Sequence, residues 1–311
     1  MTRLTNLDDA DIAEISGIYD LELNRYQPIH GGDENSSFLL KGSRQDYVLT
    51  FYEKRSLTGV EQVVHLLRHL AANGFHTNRV LATTAGSYVP YIQGKPMILK
   101  NWIPGKTLRD SVQSDFRSIG RAIGELHQIP APPFLRSEHP YGLNSMADAC
   151  GHGDDLEYET WLVKKIAYLQ ENFPDDLPQS FIHGDLCDDN IIYYQGRFQA
   201  IIDFGDACHY PRAYDIGSAL FGACIVDGRL NVERAAGVLD GYQGLLRLVS
   251  EERKAVQFFA VYAGAAISAW HYLHTYLKKP LNARLDKYKQ AAARAEQLFN
   301  LAPSVFDSLL N

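Results

Sequence analysis

The pattern of apolar and polar positions changes texture about a third of the way along the 311-residue chain. Residues 7–18 read as a short helix, with Asp8, Asp9 and Asp11 near its start, where negative charge suits the helix dipole. Two apolar, β-branched runs follow at 36–40 and 47–52. The stretch Lys41-Gly-Ser-Arg-Gln-Asp46 between them reads as a hairpin connection. Val60, Val63, Val64, Leu67 and Leu70 recur at helical spacing, so 60–72 is predicted as a helix that Asn73-Gly74 stops. Residues 88–92 and 96–102 read as two more strands joined by Gln93-Gly94. The opening part is therefore expected to be a small sheet with one inserted helix.

Beyond Thr107 the period is mostly helical. Ile119, Ile123 and Leu126 share one face of a helix over 116–128, and further helices are predicted at 158–172, 213–227, 231–248, 252–278 and 282–298. Two short strand-like runs, 190–194 and 198–202, interrupt this region around Gln195-Gly196. Pro104-Gly105 is a turn signal, and 102–105 reads as a linker. The expected organisation is a β-rich domain over 1–102 and a helical domain over 103–311.

Composition adds little to this picture but excludes several classes. With 46% hydrophobic and 22% charged residues the chain has the make-up of a soluble globular protein. Its formal charge of −7 argues against a nucleic-acid binder, which would show a basic face. No uncharged apolar run approaches the roughly 18 residues of a membrane span, and the first ten residues lack the apolar core of a signal peptide. A cytoplasmic monomer or homodimer is expected. Cys150, Cys187, Cys208 and Cys224 form no C-x-x-C pair, so no zinc ribbon or thioredoxin-like motif is read.

The chemistry concentrates in His183-Gly-Asp-Leu-Cys-Asp-Asp-Asn190 and Asp203-Phe-Gly205. Phosphoryl transfer asks for a positioned hydroxyl, neutralised phosphate charge and in-line geometry rather than covalent help. An Asp followed five residues later by Asn has the spacing of a kinase catalytic loop. Asp185 is the candidate base. Asn190 and Asp203 are the candidate oxygen ligands for magnesium, a hard cation. The hairpin around Gln195-Gly196 would bring Asn190 and Asp203 together. His183 reads as a strut for the loop. Asp188 and Asp206 are either solvated turn residues or face the substrate, and Asp215 is expected to tie the loop down.

On these motifs the chain resembles the aminoglycoside phosphotransferase/choline kinase superfamily along essentially its whole length. The resemblance implies an α+β, two-lobed protein-kinase-like fold. Residues 1–102 would be a nucleotide-binding lobe, an antiparallel sheet with a helix. Residues 103–311 would be a larger, mostly helical lobe for catalysis and substrate. ATP and Mg2+ are the implied cofactors. The arginine that precedes the catalytic aspartate of protein kinases is Gly184 here, and 203–215 leaves little room for an activation segment. Both departures favour a small-molecule acceptor over a protein.

On the nucleotide side, Gly31-Gly32-Asp-Glu-Asn35-Ser36 lies between strands, where small residues let backbone N–H groups approach phosphate, or where an ordinary turn forms. Asn101 and Ile103 bound the implied hinge for adenine. The phosphate-binding lysine that the resemblance implies falls near Thr50. Strand alternation puts Thr50, Tyr52 and Lys54 on one face, so Lys54 either reaches in or is a solvent charge.

Glu34-Asn-Ser-Ser-Phe-Leu-Leu40, Leu49-Thr-Phe-Tyr-Glu-Lys-Arg55 and His69-Leu-Ala-Ala-Asn-Gly74 are similar to the kinase-fold type of homoserine kinase, which also lacks the strand lysine. The resemblance implies a hydroxylated amino acid as acceptor. Hydroxylysine, choline or ethanolamine and aminoglycosides are the alternatives, as is a degenerate, non-catalytic homologue. Asp188, Asp206 and Trp270 are candidates for the acceptor's ammonium group. Trp270, Tyr272 and Tyr276 equally read as core packing. For a carboxylate, the candidates are His271, His274 and Arg212.

Overall fold

Local rules account for how the first helix begins and which way it faces. In the computed structural model, which describes residues 5–29, 35–110, 115–279 and 285–310, α1 spans Asp9–Tyr19. The Asp8 carboxylate accepts the Asp11 N–H at 2.9 Å and Asp11 returns the bond to the Asp8 N–H at 3.0 Å. Two donors at the helix start are thereby satisfied. Ile12, Ile15 and Tyr19 form the buried stripe of α1.

The chain separates into two units, Met1–Pro104 and Gly105–Asn311. The first holds an antiparallel sheet in the order β1-β2-β3-β5-β4, made of β1 Leu23–Ile29, β2 Asn35–Gly42, β3 Asp46–Tyr52, β4 Tyr91–Ile92 and β5 Lys95–Asn101. Phe38, Leu40, Leu49, Phe51, Met97 and Leu99 alternate onto one face and pack on Ile12, Ile15 and Tyr19. Helix α2, Leu57–Ala72, starts on a Ser56 cap and packs against β5. The strand expected over 88–92 shrinks to two residues. Pro90 has no N–H for a ladder, and its carbonyl accepts the Met97 N–H at 3.0 Å.

The second unit opens with β6, Lys106–Thr107. Its helices are α3 Phe116–His127, α4 Leu143–Ala147, α5 Leu156–Glu171, α6 Ala213–Ala223, α7 Val232–Gln243, α8 Ser250–His271, α9 Lys287–Phe299 and α10 Pro303–Leu310. Strands β7 Gln179–Ile182 and β10 Cys208–Pro211 pair with each other, β6 pairs with β8 Ile191–Tyr194, and β8 with β9 Arg197–Ile201. Helix α8 packs on α6 and α9. Among the described residues no helix is long and apolar enough to cross a membrane.

Three expected helices end early. The one expected over 231–248 stops at Gln243, before Gly244. The one expected over 213–227 stops at Ala223 because β11 Ile225–Val226 and β12 Arg229–Leu230 turn back through Asp227-Gly228. Both turn residues have positive φ, 48° and 78°, as a two-residue hairpin requires. The helix expected over 252–278 changes to a π-helix over Tyr272–Leu277. There the His274 ring and the Thr275 hydroxyl bond the carbonyls of Trp270 and His271 four residues back. Those carbonyls would otherwise accept α-helical N–H groups.

Candidate active site

Strand β7 ends at Ile182 and releases the loop His183–Asn190, which runs into β8. The loop is held by the fully buried Asp215 of α6. One carboxylate oxygen accepts the His183 N–H at 2.7 Å and the other accepts the Gly184 N–H at 2.9 Å. His127, at the end of α3, bonds the same carboxylate at 3.1 Å, and the Tyr242 hydroxyl meets its other ring nitrogen at 2.9 Å. The Ser218 hydroxyl accepts the Leu186 N–H at 3.0 Å. Burial pushes the Asp215 pKa up. The hydrogen bond from His127 and the Gly184 N–H outweigh it, leaving the group below its ordinary range.

His183 is a strut. Its Nδ1 accepts the Asp185 N–H at 3.1 Å and its Nε2 donates to the Ile202 carbonyl at 2.9 Å. Both roles require the neutral ring, and burial lowers its pKa accordingly. Gly184 has φ +85°, and a Cβ there would stand 2.7 Å from the Asp206 carbonyl oxygen and 3.2 Å from His139 Nε2. No side chain fits, which gives a physical reason for glycine at this position.

Asp185 keeps part of its surface open. Asn190 Nδ2 donates to its carboxylate at 3.0 Å and to its backbone carbonyl at 2.9 Å. That leaves the Asn190 amide oxygen as the remaining group of that side chain. The Asn190 carbonyl accepts the Ile202 N–H at 2.9 Å, so the residue before Asp203 is tied to Asn190. The turn of the β8–β9 hairpin is Gln195-Gly196, with φ of 50° and 74°. Asp203 itself is exposed and sits in the left-handed region, φ 66° and ψ 70°, with Oδ1 accepting the Gly205 N–H at 3.4 Å. Burial first, then the negative charges of Asp206 and Asp203, raise the Asp185 pKa to about 7.

The cluster therefore carries negative charge and hard oxygen donors. Among the described residues no three His, Cys, Asp or Glu side chains are grouped to hold a metal by themselves. Magnesium differs from zinc in this respect, since one or two protein oxygens and the substrate's phosphates commonly complete its shell. The donor set of Asn190 and Asp203 fits such a shared ion.

Other expected residues are placed differently. Asp188 is engaged by Arg109, with Nε at 3.1 Å and Nη2 at 2.7 Å, and Asp189 by the same guanidinium at 2.9 Å. A carboxylate paired this way is a poor partner for a cationic substrate. Tyr272 is fully buried, donating to Glu159 at 2.7 Å, and stacks with Tyr276. Those two are core. Trp270 stacks on His274 at 4.9 Å, and its buried Nε1 finds no hydrogen-bond partner among the described residues. Arg212 is held by both oxygens of Glu252, at 2.6 and 2.7 Å, and so is not open to a carboxylate.

In the first unit, Ser36 lies opposite Phe51 and faces the side covered by α1, where its hydroxyl donates to Glu53 at 2.5 Å and accepts the Thr5 N–H at 3.0 Å. Glu53 also pairs with Lys95. Asn35 opens β2 opposite Tyr52. Gly31 and Gly32 lie outside the described residues. Asn101 is tied inward: its N–H goes to the Arg79 carbonyl, its own carbonyl accepts Asn78 Nδ2, and its side chain accepts the Arg79 N–H. Its backbone groups and its amide oxygen are thereby engaged, and Ile103 is buried. Thr50 is buried beside the Ser37 hydroxyl at 3.3 Å. Strand β3 ends at Tyr52, so alternation does not extend to Lys54, which is exposed in the following bend.

The geometry has counterparts. A model of the phosphotransferase enzyme family matches residues 25–248. The chain belongs to that family. As a phosphotransferase it is 31% identical over 271 residues to a homoserine kinase of Rhizobium meliloti (strain 1021), covering 84% of this chain and 82% of the relative. It is 30% identical to one of Phenylobacterium zucineum (strain HLK1), covering 86% and 85%. A solved amicoumacin kinase in complex with AMP-PNP and Ca2+ superposes with a TM-score of 0.72 at 16% identity, covering 97% of this phosphotransferase and 94% of that chain. A microcompartment-associated aminopropanol kinase gives 0.70 at 16%, covering 97% and 99%. These two likenesses establish the two-lobed kinase-like α+β fold and nothing about substrate.

Proposed function

We propose that this phosphotransferase transfers the γ-phosphoryl group of ATP to the side-chain hydroxyl of a small hydroxylated amino acid, homoserine first. The observation that carries the reaction type is the geometry at Asp185. Its carboxylate is held by Asn190, partly open, and surrounded by the negative charges of Asp203 and Asp206. The choice of homoserine is supported by relatives of that name at about 30% identity over most of both chains.

In this reading Asp185 accepts a hydrogen bond from the acceptor hydroxyl, orients its oxygen and takes its proton as the new P–O bond forms. Asn190, through its amide oxygen, and Asp203 would hold magnesium, which supplies neutralisation of phosphate charge when bound. The loop backbone, clamped by Asp215 and Ser218, keeps Asp185 from turning away. Residues 1–102 would serve the nucleotide, with Gly31, Gly32, Asn35 and Ile103 as its contacts. Asp206 would face the acceptor's ammonium group.

The test is magnesium-dependent ADP release from purified protein over a panel of homoserine, hydroxylysine, choline, ethanolamine and an aminoglycoside. Homoserine is expected to stimulate release most. Stimulation by another acceptor instead overturns the substrate and leaves the reaction type standing. The buried Thr50, where a lysine is implied, favours a second reading as a non-catalytic nucleotide binder. ATP binding without turnover on any acceptor would support that reading.

A further inference from the structure

A zwitterionic acceptor brings a carboxylate into a site already crowded with Asp185, Asp203 and Asp206. Such an acceptor needs a cation on the protein, and the second unit's basic groups near the loop are mostly committed. Arg109 holds Asp188 and Asp189, and Arg212 holds Glu252. His183 is neutral, and burial drives the His139 pKa down to about 4.

Arg136 differs from these. It lies in the aperiodic stretch between α3 and α4, and its side chain is exposed. One guanidinium nitrogen, Nη2, donates to the Gly205 carbonyl at 3.1 Å. Gly205 directly precedes Asp206, whose carbonyl packs against Gly184, the residue before Asp185. The backbone under Arg136 is fixed as well. Its carbonyl accepts the His209 N–H at 2.8 Å, and His209 belongs to β10, which pairs with the β7 strand that carries the catalytic loop. Three residues on, His139 Nε2 donates to the Gly184 carbonyl at 2.9 Å. The segment 136–139 therefore touches both the loop before Asp185 and the turn after Asp203.

We infer that Arg136 is a specificity-determining residue that binds the carboxylate of an amino-acid acceptor. The inference rests on the functional reading above and names the residue behind its preference for an amino acid. A planar guanidinium with one N–H spent on a backbone carbonyl is oriented yet keeps four donors, enough for a two-bonded carboxylate. The single bond to Gly205 sets the fork beside the reacting centre. Selectivity follows directly, because an acceptor without a carboxylate gains nothing from Arg136.

The experiment compares L-homoserine with 3-aminopropan-1-ol, the same molecule without its carboxylate, in the wild type, Arg136→Ala and Arg136→Lys. Wild-type turnover of homoserine is measured first, and its absence would count against the functional reading rather than this one. In Arg136→Ala the KM for homoserine is expected to rise about 10- to 100-fold, the range for a charge-assisted hydrogen-bonded pair. The ratio of kcat/KM for homoserine to that for the amino alcohol should fall by a similar factor. Where the amino alcohol is not turned over, its inhibition constant against homoserine supplies the comparison. Arg136→Lys should recover part of the KM, since an ammonium is a point charge without the fork. An unchanged KM with a lower kcat, or equal losses for both acceptors, would show that Arg136 only supports the Gly205 turn and would overturn the inference.

Discussion

The His183–Asn190 loop of the second unit and the sheet of the first use polar groups in opposite ways. Around the loop, the buried Asp215, His183 and Ser218 are spent on backbone N–H and C=O groups, and His127 on the Asp215 carboxylate. This spending leaves Asp185 and Asp203 partly or wholly exposed. In the sheet the polar residues that sequence suggests for a nucleotide are themselves spent: Ser36 on Glu53 and Thr5, and Asn101 on Arg79 and Asn78. The difference teaches that a residue of the right type in the right element is a site residue only when something else pays its hydrogen-bonding needs.

The largest expected effect tests the loop. Asp185→Asn removes the proposed base while keeping shape, and turnover should drop about 10²- to 10⁴-fold, the usual contribution of a positioned base. The same variant should unfold at a higher temperature at pH 8. The folded site raises the Asp185 pKa from 3.8 to about 7, so its ionised form opposes folding, and that penalty grows as pH rises between those values. Turnover within twofold of wild type would break the assignment, and a lower unfolding temperature would break the charge argument.

Next comes the clamp. Asp215→Ala removes the partner of His127 and leaves the His183 and Gly184 N–H groups unsatisfied in the interior. Each buried polar group left unsatisfied costs about 1–3 kcal/mol, measurable by urea unfolding. The surviving folded protein should lose kcat, because the loop carrying Asp185 loosens, while its nucleotide KM moves little. A stability change below about 1 kcal/mol would mean that Ser218 and the strands hold the loop without it.

How much of this was legible in the sequence depends on the range of the contact. The loop and its Asp203 partner were readable because the chemistry demands fixed residue types at short spacing on either side of a hairpin. The inward side of Ser36 was also readable, since alternation groups it with Phe38 and Leu40, the apolar face. Asp227-Gly228 is a hairpin signal that helical periodicity on both sides obscured. Arg136 left no signal at all. Its partner Gly205 lies 69 positions away, and nothing periodic marks its segment. The commitments of Asn101 and Arg212 are likewise long-range choices between equally plausible partners.

A pH profile sharpens the comparison with a smaller effect. Asp185 must be ionised to act as base, and below about 7 it binds a proton. The kcat/KM for the nucleotide, which reports the free enzyme, should therefore fall as pH drops below that value. Asp206 is the largest of the charges that, after burial, raise this pKa. Asp206→Asn should move the acidic limb to lower pH, and an upward or absent shift would remove Asp206 from the field acting on Asp185.

The smallest effect is expected in the sheet, at Lys54. If the first unit met nucleotide phosphate through a lysine displaced from position 50, Lys54 would have to be presented by the strand. It is not, because β3 ends two residues earlier and the side chain is exposed in a bend. An exposed ammonium on a flexible stem contributes weakly, about 1 kcal/mol or less for a solvent-screened pair. Lys54→Ala should raise the KM for ATP by no more than about fivefold, the equivalent of that energy, with kcat unchanged. A rise near 100-fold would show that nucleotide binding draws Lys54 into the site, and the sheet would then resemble the loop in holding a charge ready for substrate.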